Sequence, residues 1–363
     1  MAYLVEGSVR KSGNRVRRIN AQLIEGATSG HIWADRYDRD LTDIFAIQDE
    51  ITKTIVEQLK VKLLPEEKKA IEQATTGNVE AYTAYLRGRQ FFVTGAKSSL
   101  TLGRRMFARA VELDPGYARA YAGVANCDSR LKSSHGVQIS ADEILATTGK
   151  ALEIDPNLAE AHAARGYAFS IGSRPTEAAS TFEQALALDP NCYETNRLFA
   201  EFCVTKGDFQ RAAQHFLRAM EIQPDDYQAP LFLFSVYQSL GRPEEAAKYA
   251  RLGVKWAEEA LRLHPESSKP AQQGACALAY LGERERAKEW LARALAIDPD
   301  DNIARYNAAC TYSLLGEFDR SIDLLEICLQ LVGADFKLWV KNDSDLNPIR
   351  DHPRYQKLLE LAR

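Results

Sequence analysis

A repeat of 34 residues constrains the fold of this chain more than any other feature of its sequence. Two consecutive units carry the same residue types at matching positions, namely Ala178, Phe182, Ala185 and Pro190, then Ala212, Phe216, Ala219 and Pro224. A unit of this length holds two amphipathic helices, and neither helix can bury its apolar stripe alone. Stability therefore requires each helix pair to stack on the next, which predicts a superhelix with a groove on its inner side.

The spacing of these residues resembles the tetratricopeptide repeat (TPR) family. In that repeat, small residues at the Ala positions let helices approach closely, Phe fills the seam, and Pro ends the second helix. The resemblance implies a mainly α fold, a TPR α-solenoid of about seven units over residues 78–333.

Two of the units are longer than the rest. Intervals of 41 residues end at Pro156 and at Pro265. The first surplus is expected to form a mobile loop near residues 132–139, because Ser140 opens the spacing of a capping box that begins a helix. The second is expected inside one long helix over residues 243–263, since seven extra residues are close to two helical turns.

Residues 2–38 have the period-two pattern of strands and precede the repeats. Alternating apolar residues predict a first strand, and the segment 12–14 is a hairpin turn signal. The apolar phase of the next strand slips before Ile19, which predicts a β-bulge or shifted pairing near Arg17 and Arg18. A helical period then follows from residue 43 to 63, so a small α+β domain is expected here.

Four stretches of this domain carry a second resemblance: Tyr3-Leu-Val-Glu-Gly-Ser-Val-Arg-Lys, Ala21-Gln-Leu-Ile, Trp33-Ala-Asp-Arg-Tyr-Asp and Phe45-Ala-Ile-Gln-Asp-Glu-Ile. They resemble the second half of the TolB-like amino-terminal domain, which in its family precedes TPR arrays in bacterial adenylate cyclases and CadC-like transcription regulators. The first half of that domain has no counterpart here. Either the chain is truncated, or an open sheet edge pairs with another molecule, for example in a homo-oligomer. A monomer in light scattering would count against this pairing.

These patterns divide the chain into four parts. We expect a partial TolB-like α+β domain over 1–64, a helical connector over 65–77, the TPR units over 78–333 and C-terminal capping helices over 334–363. The last assignment rests on aromatic and aliphatic residues interspersed with many charges, a composition that suits a cap with one solvated face.

Composition and charge exclude several classes of function. The formal net charge of −4 argues against nucleic acid as the main partner, since nucleic-acid binding shows an excess of Lys and Arg. A basic run from Arg10 to Arg18 is open to two interpretations, a solvated hairpin tip or a contact with an acidic partner or nucleic acid. No apolar run is long enough to span a bilayer, and the start lacks the features of a signal peptide. We therefore expect a cytoplasmic protein, or a periplasmic one if it is part of a longer membrane-anchored chain.

The sequence offers no pattern for catalysis, for a cofactor or for a metal ion. The six cysteines are scattered without close pairs and are expected to be small buried residues. The phosphate-binding and nucleophile-elbow motifs are absent, and the histidines have no metal-ligand spacing. No catalytic, cofactor-binding or metal-binding residue is predicted.

The TPR resemblance implies a binding groove instead. In that family certain positions of each first helix face the groove, and here they hold Asn126, Arg130, Tyr167, Glu194, Arg197, Glu201, Gln238, Gln272 and Tyr306. This mixed polar and aromatic lining suits a peptide or a partner protein. The sequence therefore predicts a non-catalytic interaction scaffold, a regulatory module in a bacterial signalling system. The alternatives are the regulatory part of an adenylate cyclase and the sensor half of a transcription regulator.

Overall fold

The computed structural model describes residues 3–12, 15–25, 30–37, 50–51, 54 and 76–361. The chain forms two compact units, Met1–Thr83 and Ala84–Arg363. Within the described ranges, no helix combines the length and the apolar character that crossing a membrane requires.

The first unit contains a three-stranded antiparallel sheet. The strands are β1 (Tyr3–Ser12), β2 (Arg15–Glu25) and β3 (Gly30–Tyr37), in the order β1-β2-β3. Ile19 and Ala21 of β2 are buried on one face with Tyr37 of β3. Their period of two is the alternation that the sequence predicts for a strand with one buried face.

The bulge predicted in β2 is confirmed. Arg10 pairs with Arg18, whereas Lys11 pairs with Val16, so Arg17 is the extra residue of the bulged strand. A second irregularity, which the sequence analysis missed, lies in β3: Leu23 pairs with Trp33, but Ile24 pairs with His31. Bulges of this kind bend a strand and increase its twist.

Most of the helix predicted over residues 43–63, and residues 65–75 of the predicted connector, lie outside the described residues. Within that helix the described residues are Glu50, Ile51 and Thr54. Thr54 Oγ1 donates to the Glu50 carbonyl at 2.8 Å, across the four-residue spacing of a helical turn. Ile51 packs against the buried side chains of the sheet.

The described chain from Val79 onward is a series of antiparallel helix pairs, the TPR α-solenoid that the sequence predicts. The pairs are α1 (Val79–Thr94) with α2 (Lys97–Leu113), α3 (Ala118–His135) with α4 (Ala141–Ile154), α5 (Ala159–Ile171) with α6 (Pro175–Leu188), α7 (Tyr193–Thr205) with α8 (Phe209–Ile222), α9 (Gln228–Ser239) with α10 (Pro243–Leu263), α11 (Lys269–Tyr280) with α12 (Arg284–Ile297), and α13 (Asn302–Leu314) with α14 (Phe318–Gln330). Helix α15 (Ala334–Asn342), a 3-10 helix (Ser344–Ile349) and α16 (Pro353–Leu361) follow.

The repeat positions form the seams between helices. Phe182 and Phe216 are fully buried, as are the Ala residues on either side of each in the repeat pattern. Phe107 has the same role earlier in the chain, where it lies against Gly123 of the next pair. A Cβ added at Gly123 would lie 2.6 Å from the Phe107 ring, so only glycine lets α2 and α3 approach this closely.

Both long units have their extra residues in the predicted segments. The sequence predicts a loop for the first, but α3, 18 residues long against 13 in α5, continues through residues 132–135 to His135, and only 136–139 are non-helical. The predicted capping box at Ser140 then begins α4. Helix α10 has 21 residues, against 14 in α8, and these seven extra residues are close to two turns, which keeps its apolar stripe on the inner seam.

We predict that Phe216→Ala destabilises the array strongly, because it leaves a cavity in a fully buried seam. The expected loss is about 3–5 kcal/mol in the free energy of unfolding. Phe318→Ala is the matched control, since Phe318 is 38% exposed. Urea denaturation followed by circular dichroism measures both, and similar losses for the two variants would contradict the role assigned to the seam.

Candidate functional site

The array brings its second repeat against its last. Helix α3 contacts α13 and α15. The Gly333 amide donates to the Ser133 carbonyl at 2.8 Å, and Asn302 Nδ2 donates to the Ser134 carbonyl at 3.3 Å. Ser133 also donates through its hydroxyl to Asp335. The extra turn of α3 therefore supplies the groups that hold the end of the array to its second pair.

Gly136 makes this approach possible. It has a positive φ of 62°, and an added Cβ would lie 2.3 Å from the carbonyl oxygen of Leu331. No other residue type fits both the left-handed conformation and the space.

Residues 334–349, which we call the C-terminal strap, lie on the inner surface of the array. The strap comprises α15 and the 3-10 helix; α15 contacts α3, α5 and α7, and the 3-10 helix contacts α9 and α13. The sequence predicts a cap on the last repeat, and α16 does pack on α14. What the sequence analysis missed is that the strap crosses to the inner side of earlier repeats.

Aromatic contacts seat the strap. Phe336 packs edge-on against Tyr306 with ring centroids 5.0 Å apart, and Trp339 packs edge-on against Phe232 at 5.8 Å. Val340 of the same helix is fully buried. A helix with aromatic residues three positions apart presents both on one face, which explains why this segment docks rather than extending the solenoid.

Polar groups fix the far end of the strap. Asn342 Nδ2 donates to the carbonyls of Val204 and Thr205 at 3.2 and 3.1 Å, at the last turn of α7. Gln238 donates to Asp345 at 2.8 Å, and Tyr306 donates through its hydroxyl to Asp343. These bonds join the strap to α7, α9 and α13 through polar groups that are buried or half-buried.

Beside the strap lies a cavity of about 300 Å³. Of the nine predicted groove residues, those that line it are Arg130, Tyr167, Glu194, Arg197, Glu201 and Tyr306. Gln238 of α9 is outside the cavity lining and donates to Asp345 of the strap. Gln272 is 2% exposed and bonds to Asp301 and Asn307 inside the array, and Asn126 is half-buried outside the cavity lining. The peptide-binding role of all nine residues stays a prediction.

Charges from separate repeats meet in this cavity. Arg130 of α3 donates to both oxygens of Glu201 of α7, at 2.9 and 2.7 Å, and Arg197 donates to the same carboxylate. Burial would raise the pKa of Glu201, but the charges of Arg130 and Arg197 outweigh it and lower that pKa. Glu201 is therefore ionised and is shared by two guanidinium groups.

Lys269, at the start of α11, is a cavity residue that the sequence analysis missed. Its ammonium donates to the Val93 carbonyl at 3.4 Å. Burial, with the charges of Arg197 and Arg130, lowers the pKa of Lys269 to about 8. Arg89, by contrast, is paired with Glu194 at 3.2 Å. No sequence signal identifies Lys269, because its approach to α1 depends on how the repeats curve.

A second cluster joins the strap to α13. Cys310, Asp343 and Asp345 are buried, and each places one potential ligand atom within 4.8 Å of the others. Burial raises the pKa of Asp345 well above its usual range, and the charge of Asp343 raises it further against the hydrogen bond from Gln238. All six cysteines are free and buried, as the sequence predicts.

We predict that Asp345→Asn raises the melting temperature above that of the wild type by more at pH 8 than at pH 5. A carboxyl whose folded pKa is raised favours folding below its unfolded pKa, and this contribution is lost as pH rises through the folded value. Asparagine still accepts from Gln238 and carries no charge at either pH. Melting temperatures measure the effect, with the exposed Asp351→Asn as control; an unchanged pH dependence in Asp345→Asn would contradict the assignment.

The tetratricopeptide-repeat family models match residues 159–227 and 274–301. Over 123 residues, 34% of this chain, the sequence is 49% identical to "Putative adenylate cyclase 3" of Rhizobium meliloti strain 1021. That match spans 21% of the relative's own length. The aligned region is thus a minor part of the relative.

Solved structures agree in fold. A monomeric mutant of IFIT1 with m7Gppp-AAAA matches 86% of this chain and 76% of its own, with a TM-score of 0.53 and 14% identity. The human IFIT1 dimer with m7Gppp-AAAA gives 0.52 at the same identity, over 86% of this chain and 77% of its own. At this identity the likeness concerns the fold alone. The repeat spacing, the helix pairs and the matched ranges together show that this chain carries tetratricopeptide repeats and folds as a solenoid of them.

Proposed function

We propose that this interaction scaffold binds a partner polypeptide on the inner surface of its array, at the position that the strap occupies. A role in protein interaction follows from the repeats, since TPR solenoids present concave binding surfaces. The strap is the observation that supports polypeptide binding at this position, because the surface already holds a helical segment of the protein by aromatic and polar contacts.

The contacts of the strap define the chemistry of such a partner. Two aromatic residues of the partner, three positions apart, would pack against Tyr306 and Phe232, as Phe336 and Trp339 do. Acidic groups further along would accept from the Tyr306 hydroxyl and Gln238. This is the docking mode of an amphipathic helix in a groove, with half-buried aromatic anchors and polar groups at the end.

Partner and strap would compete for one surface. A strap joined to the array is held at high effective concentration, so an external segment binds only as far as the strap is displaced. Weakening the strap therefore increases the fraction of protein able to bind a partner, and the apparent affinity rises in proportion to that fraction.

The test uses a fluorescent peptide with the sequence of residues 334–349 and three versions of the full chain. Trp339→Ala removes the strap's contact with Phe232 and leaves the surface beside Phe232 free for the peptide. We expect the peptide to bind this variant about tenfold more tightly than the wild type. Trp256→Ala is the matched control, because Trp256 lies on α10, where Lys255 lies over its ring. Fluorescence anisotropy gives the dissociation constants.

Two results would count against the proposal. One is equal affinity of the peptide for all three proteins. The other is equally tight binding of a peptide that carries alanine at the positions of Phe336 and Trp339, since the aromatic seats would then contribute nothing.

The wider role is proposed as regulation in a bacterial signalling system. The match to part of a protein named as an adenylate cyclase favours one version, in which this chain regulates a cyclase without catalysing the reaction. The paired metal-binding aspartates expected of a cyclase catalytic domain have no counterpart in the sequence. Cyclic AMP formation by the purified chain would contradict a purely regulatory role. The alternative role is the sensor half of a transcription regulator. The cytoplasmic location and the pairing through the sheet edge are separate proposals.

A further inference from the structure

We propose that the cavity beside the strap binds a small aromatic phosphate monoester, with its phosphate held by Lys269, Arg197 and Arg130. The site is present with the strap in place, so the inference does not rest on the binding of a partner polypeptide. The unpaired cation, the aromatic residues of the lining and the volume of the cavity support it.

Three cations of the lining, Arg130, Arg197 and Lys269, lie around Glu201, which two of them share. Two further carboxyl groups line the cavity here, and both have donors of their own. Asp226 accepts from the Tyr193 hydroxyl and the Ala229 amide, and Asp335 accepts from the Ser133 hydroxyl. None of these carboxyl groups forms an ion pair with Lys269 in the described part of the chain, so Lys269 is the cation that an anion inside the cavity would pair with.

The free donors point to a phosphoryl group. Arg197 is 8% exposed and uses one terminal nitrogen on Glu201, while its remaining N–H groups have no partner among the described residues. Lys269 donates only to a carbonyl, at 3.4 Å. A phosphate monoester carries about −1.5 to −2 charge at pH 7 and has three acceptor oxygens, so it can accept from the free N–H groups of Arg197 and from Lys269.

Aromatic rings line the cavity among polar residues. Phe92 of α1, Phe202 of α7, Phe232 of α9 and Trp339 of the strap line it. Rings of this kind hold a flat apolar group by stacking and by edge contacts. The volume of about 300 Å³ is at the lower end of the range for small-molecule sites, which suits a single aromatic ring system carrying one phosphate.

Arg89 does not belong to the phosphate-binding set. Its guanidinium is paired with Glu194 at 3.2 Å, and its side chain is 46% exposed. The proposed phosphate site therefore consists of the three cations around Glu201. Of these, Lys269 is the one without a carboxylate partner among the described residues.

The test titrates phenyl phosphate, inorganic phosphate and phenol into the full chain by calorimetry. Phenyl phosphate is expected to bind more tightly than inorganic phosphate, and phenol is expected not to bind. Lys269→Gln should weaken phenyl phosphate binding about tenfold or more, because it removes a charge-assisted hydrogen bond. Lys150→Gln, which changes an exposed lysine of α4, should leave the affinity unchanged.

Lys269→Arg keeps the charge and should retain most of the affinity, which separates loss of the cation from loss of fold. Melting temperatures of all variants check that they are folded. The proposal is overturned if phenol binds as tightly as phenyl phosphate, if inorganic phosphate binds as tightly as its ester, or if both Gln variants weaken binding equally. Absence of any phenyl phosphate binding to the folded wild type would also overturn it.

Discussion

The packing of one helix pair on the next is the interaction on which the second unit depends. Each pair leaves an apolar stripe that only its neighbour covers, and the fully buried Phe182 and Phe216 mark two of these seams. Small buried residues around a buried Phe or Leu recur along the array, as in Ala287, Leu291 and Ala294, so successive pairs can pack in a similar way. Small rotations therefore add up along the chain, and the inner surface arises from their sum.

That sum is what brings distant residues together. Helix α3, longer by more than a turn than the first helices of the repeats that follow it, reaches α13 and α15, so that Ser133 bonds to Asp335, which lies 202 residues further along the chain. The strap then covers part of the inner surface. A surface that in an open solenoid would face solvent is divided into a part filled by Phe336 and Trp339 and a cavity that remains free.

The pKa values of the carboxyl groups are shifted in opposite directions under the strap and in the cavity. On the strap side, carboxylates of Asp343 and Asp345 are buried among neutral donors, and their pKa values are raised. On the cavity side, two guanidinium groups share Glu201 and hold its pKa low. The strap thus places carboxyl groups beside hydroxyl and amide donors of the array, while Arg130 and Arg197 of the array line the cavity.

Much of this fold follows from the sequence alone. The repeat period, the bulge near Arg17, the capping box at Ser140 and the long helix α10 all depend on neighbouring residues, which short-range patterns encode. Most of the groove positions that the repeat pattern indicates, Arg130 and Glu201 among them, also line the cavity. The docking of the strap and the entry of Lys269 into the cavity were decided by tertiary structure alone, because both depend on the curvature accumulated over all the repeats, and no local pattern carries that information.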